Sequence, residues 1–294
     1  MCANCGKGED SSIKLKTCTA CKLVKYCSRE CQIAHRPQHK KACKRRAKEI
    51  HDEKLFKQPP RLEEDACPIC FLHLPFRNGG RTYMSCCGKV ICCGCIHAVQ
   101  SRATKVEEQI CPFCRTPPAS SDEERIKMYE KRMELNDAIA IYSRASDYIE
   151  GRYGLPQNRA KALELYHRAG ELGCANAYSK IGGMYIHGNG VERDEKKAKH
   201  YYELGAMGGC SYARHNVGCT DEWADNKARA LKHFMIAVKN GHPNSLERIK
   251  LLYSEGHATK DDYANALRYY QAYLGEIKSD QRDEAVKCGG LSYY

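Results

Sequence analysis

The sequence has no apolar run long enough to span a bilayer, and its opening Met1-Cys2-Ala3-Asn4-Cys5-Gly6 lacks the apolar core of a signal peptide. An intracellular protein, cytoplasmic or nuclear and with no membrane partner, is the expectation. A Ser-His-Asp arrangement, a paired-carboxylate signature and a nucleotide-binding loop are also missing, which argues against chemistry on a small substrate. Cysteine is scarce over most of the chain, with only Cys174, Cys210, Cys219 and Cys288 beyond residue 114. The others are concentrated, seven in residues 1–43 and nine in residues 67–114. In a reducing compartment, paired and closely spaced cysteines read as metal ligands before they read as disulfides.

At 294 residues the chain has room for two or three domains. Its formal charge of +12 points toward nucleic acid until the metal is counted. Fifteen zinc-bound thiolates remove fifteen charges and four zinc ions return eight, which leaves +5. The remaining excess is N-terminal: residues 1–65 hold 16 Lys and Arg against 9 Asp and Glu, whereas residues 136–294 hold 22 against 20. Protein partners are therefore favoured over nucleic acid. The basic run Lys40-Lys41, Lys44-Arg45-Arg46 and Lys48 reads as a solvated helix, with nuclear localisation as its other reading.

The first cluster contains Cys2-x2-Cys5, Cys18-x2-Cys21, Cys27-x3-Cys31 and His39-x3-Cys43. Eight ligands in four close pairs suit two tetrahedral zinc ions, because a short gap lets both side chains of one turn reach the same ion. The pattern Tyr26-Cys27-Ser28-x2-Cys31-Gln32 with His39-Lys40-x2-Cys43 resembles the MYND zinc finger, placed at residues 1–43. That resemblance implies interleaved sites, Cys2, Cys5, Cys27 and Cys31 on one ion and Cys18, Cys21, His39 and Cys43 on the other. It also implies docking of partner proteins, commonly through short proline-containing segments. Where the family usually has an acidic residue and Trp, this chain has His35-Arg36, which removes an aromatic surface for such a ligand. About 40 residues cannot bury a sufficient apolar core, so metal must supply folding free energy. Residues 44–65, highly charged and with Pro59-Pro60, read as a linker, helical first and then extended.

The second cluster, within residues 66–116, opens with Cys67-Pro68-Ile69-Cys70 and closes with Cys111-Pro112-Phe113-Cys114-Arg115. Between them lies Cys86-Cys87-Gly88-Lys89-x2-Cys92-Cys93-x-Cys95. These pairs resemble a RING finger, which implies that Cys67, Cys70, Cys92 and Cys95 share one ion. Lys89 stands where a RING has histidine, and a protonated ammonium has no lone pair to give. Cys86 is the nearest replacement, so the second set is taken as Cys86, Cys87, Cys111 and Cys114, with Gly88 permitting the bend. Cys93 and His97 are the other candidates, although a packed thiol and an exposed helix residue describe them better. The resemblance further implies contact with a ubiquitin-conjugating enzyme through Ile69, Val99, Pro112 and Arg115. Val99 replaces a frequent Trp and offers less area, while Arg115 could bridge two carbonyls with its fork. The plainer reading makes Ile69 and Val99 core and the other two loop residues.

After a turn-rich break, Ser121-x-x-Glu124 starts a connecting helix over 121–135, with Ile126, Tyr129 and Met133 on one face. Residues 136–280 then repeat with a period of 36, once shortened to 32, through Ala162, Ala198, Ala230 and Ala266. Four residues before each stands an expected N-cap (Asn158, Asp194, Asn226, Asp262), and four after each stands a ring (Tyr166, Tyr202, Phe234, Tyr270). Earlier helices begin near Ala140, Ala177, Ala213 and Ser245, followed one turn on by Ile181, Val217 and Ile249. In the first unit Arg144 takes that place, as suits an end repeat open to water. Helix pairs with a Gly188-Asn189-Gly190-Val191 turn resemble the Sel1-like repeat, a relative of the tetratricopeptide repeat, which implies a protein-binding solenoid. The tyrosines read as inter-helix core, and Cys174 and Cys210 as buried packing. Residues 284–294 read as a disordered tail.

The expected fold is thus two small cross-brace zinc modules, MYND-like and RING-like, followed by an all-α helical-repeat solenoid of about four helix pairs, with four zinc ions in all. Two functions follow: an interaction scaffold whose finger and repeats dock separate proteins, or a RING-type ubiquitin ligase whose repeats select the substrate.

Overall fold

The computed structural model describes residues 1–10, 12–59, 65–76, 80–103 and 109–289, and the chain divides into two units, Met1–Lys57 and Gln58–Tyr294. In the first unit the buried cluster consists of Cys2, Cys18, Cys21 and Tyr26, with Leu15, Val24, Cys27, Cys31 and Cys43 against it, and Leu55 is buried apart from it. Strands β1 (Lys16–Thr17) and β2 (Lys25–Tyr26) pair antiparallel, and helix α1 (Arg29–Phe56) follows. The Ser28 hydroxyl caps α1 by accepting the Cys31 N–H at 3.3 Å. One helix therefore carries Cys31, His39 and Cys43 and runs on to Phe56. The expected boundary between a finger ending at residue 43 and a linker starting at 44 has no counterpart in the backbone, because residues 44–56 continue the same helix. Of the expected extended stretch, Pro60 and residues 61–64 lie outside the described residues.

The second unit opens with a small module in which Leu74 and Ile91 pack among Cys67, Cys92, Cys95 and Cys111. Its hairpin joins β3 (Arg81–Met84) to β4 (Lys89–Cys92), with Met84 opposite Lys89. Helix α2 (Cys93–Gln100) follows without a linker. Helix α3 (Asp122–Glu134) is capped at Ser121, whose hydroxyl accepts the Glu124 N–H at 3.2 Å. The Glu124 carboxylate reaches one residue further than a capping box requires, accepting from the backbone and hydroxyl of Ser120 at 2.7 Å each. A single carboxylate, Asp137, ties this region together. It accepts the Tyr83 hydroxyl at 2.8 Å and the Arg132 guanidinium at 2.6 and 3.0 Å, while its other oxygen caps the next helix.

Four antiparallel pairs then stack in chain order. They are α4 (Ala138–Glu150) with α5 (Arg159–Glu171), α6 (Ala175–His187) with α7 (Glu195–Met207), α8 (Ser211–Trp223) with α9 (Lys227–Lys239), and α10 (Pro243–Ser254) with α11 (Lys260–Ile277). Ala162, Ala198, Ala230 and Ala266 are completely buried where helices approach. The ring four residues later fills a slot left by a glycine: a Cβ on Gly182 would come 2.5 Å from the Tyr202 ring, and one on Gly218 2.5 Å from Phe234. The fourth pair has Lys250 at that register, and Tyr270 is only half-buried. Between α6 and α7 the connection runs from Gly188 to Asp194, with Gly188 and Gly190 at φ +66° and +79°. Between α8 and α9 it shrinks to Ala224, Asp225 and Asn226, which removes the four residues missing from the third period.

Three expectations for this unit need correction. Asp262 is not the N-cap of α11; Thr259 is, and Asp262 sits in the first turn as the reciprocal half of a capping box. Arg144 does not face water but is 4% exposed. It lies 3.6 Å from the Asp147 carboxylate and over the Tyr148 ring, on a helix against which α3 packs. The tail does not begin at residue 284: helix α12 (Asp280–Gly289) packs on α2, with Ala285 buried beside Cys93, Tyr273 and Ile277. That apolar contact is what orders it. Residues 290–294 lie outside the described residues.

Candidate metal centres

Four groups of ligand atoms converge in the described residues: Cys2, Cys5, Cys27 and Cys31; Cys18, Cys21, His39 and Cys43; Cys67, Cys70, Cys92 and Cys95; and Cys86, Cys87, Cys111 and Cys114. Within each group all the ligand atoms lie within 4.8 Å of one another. Zinc–sulfur bonds of about 2.3 Å at tetrahedral angles place sulfurs about 3.8 Å apart. Cys5 and Cys27 are 3.6 Å apart, Cys18 and Cys43 3.8 Å, Cys70 and Cys92 3.7 Å, Cys87 and Cys111 3.9 Å, and Cys86 and Cys114 3.4 Å. The His39 Nε2 lies 3.2 Å from the Cys21 sulfur. All of these are far longer than a disulfide bond of about 2.05 Å. Each cluster has the donor set and span for one zinc ion.

The backbone explains why the sulfurs meet. Four of the five Cys-x2-Cys pairs make the same turn: Gly6, Lys22, Phe71 and Arg115 donate their N–H to the carbonyls of Cys2, Cys18, Cys67 and Cys111 at 2.9 to 3.0 Å, while Cys92 and Cys95 straddle the start of α2. In return Cys2, Cys18, Cys67 and Cys111 donate to Lys7, Val24, Leu72 and Thr116. The residue after the second cysteine adopts positive φ in all four turns, 72°, 58°, 59° and 59°. Three of these are side-chain-bearing residues held in a left-handed conformation, which costs free energy that the turn and its ligands must offset. Cys86 and Cys87 use a different device. They sit in the β3–β4 turn, where Cys87 and Gly88 both donate to the Met84 carbonyl at 3.2 and 2.7 Å, and Gly88 has φ +73°. Adjacent cysteines thereby face one center.

Cys93 and His97 join no cluster. The Cys93 thiol is buried toward α11 and α12, and His97 is half-buried on α2. Lys89 is exposed, with its ammonium 5.8 Å from the center of the Phe113 ring.

Without a cation the thiols of a cluster must share protons, and the donors around them already select which sulfur gives its proton up. Backbone N–H groups of Cys5, Cys27 and Asn4 lower Cys2 to about 5. The Cys92 thiol and the N–H groups of Cys92, Cys70 and Ile69 hold Cys67 at about 4 despite its burial. Burial opposes the same effect at Cys18, where the Cys21 N–H and His39 prevail and the value falls to about 6. Neighbouring thiols move the other way, Cys27 to about 12 through bonds to Cys5 and Cys31. Zinc removes this competition by stabilising every thiolate at once.

Groups around the ligands were not visible as site residues in the sequence. His35 accepts or donates at 3.0 Å to the Tyr26 hydroxyl and stacks on ligand His39, with ring centers 5.6 Å apart. His35, which stands where the family has its acidic residue, is thus turned to steadying a ligand. Thr116 Oγ1 lies 3.1 Å from the Cys114 sulfur. Arg282, completely buried, reaches the Cys70 sulfur at 3.8 Å.

The four residues expected to touch a conjugating enzyme are spread over three elements. Ile69 lies inside the first turn of the central module and is 36% exposed, and Val99 is half-buried on α2. Pro112 is half-buried inside the last turn, and Arg115, at φ 59°, is exposed just after it. Phe71 and Phe113, which sequence reasoning passed over, are 79% and 46% exposed on the same two turns.

Comparison with known proteins separates the modules. Residues 2–43 match the MYND finger, and residues 138–174, 175–210 and 251–272 match the Sel1 repeat. The chain therefore carries a MYND finger and Sel1 repeats. The unmatched stretch between 210 and 251 is the unit with the shortened connection. Among curated proteins, E3 ubiquitin-protein ligase GW2 of Oryza sativa subsp. japonica is 39% identical over 109 residues, 34% of this chain and 24% of that protein. Protein sel-1 homolog 2 of Homo sapiens is 30% identical over 87 residues, 30% of this chain and 12% of that protein. The chain thus spans about a quarter or less of the length of these relatives. Among solved structures, a Sel1 repeat protein from Oxalobacter formigenes aligns over 52% of this chain and 64% of that one, at 29% identity and a TM-score of 0.47. No described helix is long and apolar enough to cross a membrane.

Proposed function

We propose that the protein is a zinc-dependent adaptor in which the MYND finger and the Sel1 repeats dock separate protein partners. The sixteen clustered residues, fifteen cysteines and His39, are the ligands of four structural zinc ions. A closed set of four protein ligands leaves no open position for a substrate, so these ions stabilise surfaces and do not activate water. The observation that carries the reading is the division of the chain into two compact units, one holding the finger and the other the repeats. The test compares the partners that co-purify with the full chain, with Cys21→Ser and with Gly218→Val. The first variant removes a finger ligand, and the second forces a side chain into the Phe234 slot of the repeats. Each is expected to lose a different set of proteins. Loss of one and the same set by both variants would contradict separate docking.

A second reading, a RING-type ubiquitin ligase, is favoured by the relatives named E3 ubiquitin-protein ligase, among them DA2 of Arabidopsis thaliana at 38% identity over 71 residues. The exposed apolar residues Ile69, Phe71 and Phe113 around the two outer turns of the central module suit the same reading. Here Ile69, Val99, Pro112 and Arg115 would contact the conjugating enzyme, and the repeats would hold the substrate. An in-vitro ubiquitination assay across a panel of conjugating enzymes decides it: wild type should give product that Ile69→Ala and Arg115→Ala reduce. No product above the background without ligase would remove this reading.

A further inference from the structure

The third cluster is the most deeply buried of the four, with Cys67, Cys92 and Cys95 between 0 and 4% exposed. Four thiolates on one zinc ion carry a net charge of minus two, and a buried dianion needs a nearby cation or donors to replace lost water. One cation is there. Arg282, in the first turn of α12, has no exposed surface and brings its guanidinium against the turn that follows Cys70. Its Nη1 donates to the carbonyls of His73 and Ile277, each at 2.7 Å, and its Nη2 donates to the Leu72 carbonyl at 3.4 Å and lies 3.8 Å from the Cys70 sulfur. The planar fork thus spans the ligand turn and the end of α11, which a lysine could not do. The α12 backbone is equally close to α2: a Cβ on Gly94, between Cys93 and ligand Cys95, would stand 2.9 Å from the Arg282 nitrogen and 3.0 Å from the Gln281 carbonyl carbon. Tyr273 adds a bond from its side, its hydroxyl accepting the Phe76 N–H at 2.6 Å.

We propose that Arg282 is an outer-shell positioning residue of the third zinc site and that α12 and this site form one linked device, the ion holding the C-terminal helix in place and the helix holding the ion. The proposal rests on the metal reading of Cys67, Cys70, Cys92 and Cys95. Linkage makes it reciprocal: whatever factor zinc contributes to docking of α12, a docked α12 contributes to zinc affinity. A guanidinium that merely clamps three carbonyls would serve the helix as well with the site empty. In the linked device, loss of zinc removes the dianion and frees the ligand turn, so α12 detaches while the repeats stay folded. The element that closes the repeat array at its C-terminal end thereby reports on the metal state of the module that precedes the array.

Two measurements on the full-length, zinc-loaded protein test this. Zinc release to a metallochromic chelator is followed for wild type, Arg282→Lys and Arg282→Gln. One of four equivalents is expected to leave roughly tenfold to a hundredfold faster in Arg282→Gln, the usual scale for a lost outer-shell partner, with Arg282→Lys between. Amide exchange of residues 280–289 is compared in wild type, Cys67→Ser and Cys114→Ser. Protection should vanish in Cys67→Ser and persist in Cys114→Ser, while α4 to α9 stay protected in both. Unchanged protection in Cys67→Ser would overturn the proposal even if Arg282→Gln failed to fold, and so would wild-type release from a folded Arg282→Gln. A zinc count that Cys67→Ser leaves unchanged would overturn the metal reading instead.

Discussion

In residues 2–43 the completely or nearly buried side chains that form the core are three thiols and one tyrosine, whereas in the repeat array they are alanines, branched aliphatics and rings. The first region positions its chain by polar turns that aim sulfurs at a point, and the second by small residues that let helices approach. The difference lies in where folding free energy comes from. A segment with almost no apolar core depends on an ion it must capture, while stacked helix pairs depend on area they bury against neighbours. The central module stands between the two, with a thiol-rich core of its own and packing from α3 and α12.

The largest effect separating the regions should come from chelation. Each structural zinc ion supplies about 10–16 kcal/mol of apparent binding free energy in small fingers. Stripping metal should therefore abolish amide protection throughout residues 12–56 and leave α4 to α9 protected, as hydrogen exchange with mass spectrometry can read. The converse substitution is Phe234→Ala, which empties a completely buried ring slot. It should lower array stability by about 3–5 kcal/mol in denaturant melts and leave zinc content unchanged.

The two regions should also part company in acid. Burial and the nearby Arg248 push His215 down to about 4, and burial with Arg214, Arg229 and Lys199 pushes His233 to about 2. In the unfolded chain both titrate near 6.5. Below that value the unfolded state binds more protons, so array stability is complete above pH 6.5 and is lost as pH falls toward 4. Thermal melts of the array should show this slope, and His215→Gln should reduce it to the part that His233 contributes. The smallest effect concerns caps. The Asn158 side-chain Oδ1 accepts the Lys161 N–H at 2.9 Å, while Asn226 makes no side-chain cap bond. Asn158→Ala should cost about 1 kcal/mol, and Asn226→Ala much less.

What could be read from the sequence divides along the same line. Paired cysteines announce themselves because a ligand turn needs a fixed short spacing, and Cys86 with Gly88 followed from Lys89 being unable to bind. The alanine and ring series was visible because stacked units repeat their contacts. The rest depends on tertiary partners that leave no periodic trace. Arg144 falls at an aliphatic register yet is buried, since α3 and Asp147 cover it. Asp262 aligned with three caps, but Thr259 three residues earlier offers the capping-box geometry and wins. Arg282 stands in a charged stretch with nothing local to mark it, and its burial comes from a turn more than two hundred residues upstream. His35 gave a signal only as a departure from the family pattern, and the departure turned out to support ligand His39.

Zinc stoichiometry by native mass spectrometry tests the central claim most directly, applied to wild type and to Cys86→Ser. The four convergent clusters predict four zinc ions in wild type and three in the variant. Three ions in wild type, or four retained in Cys86→Ser, would contradict an all-cysteine fourth site.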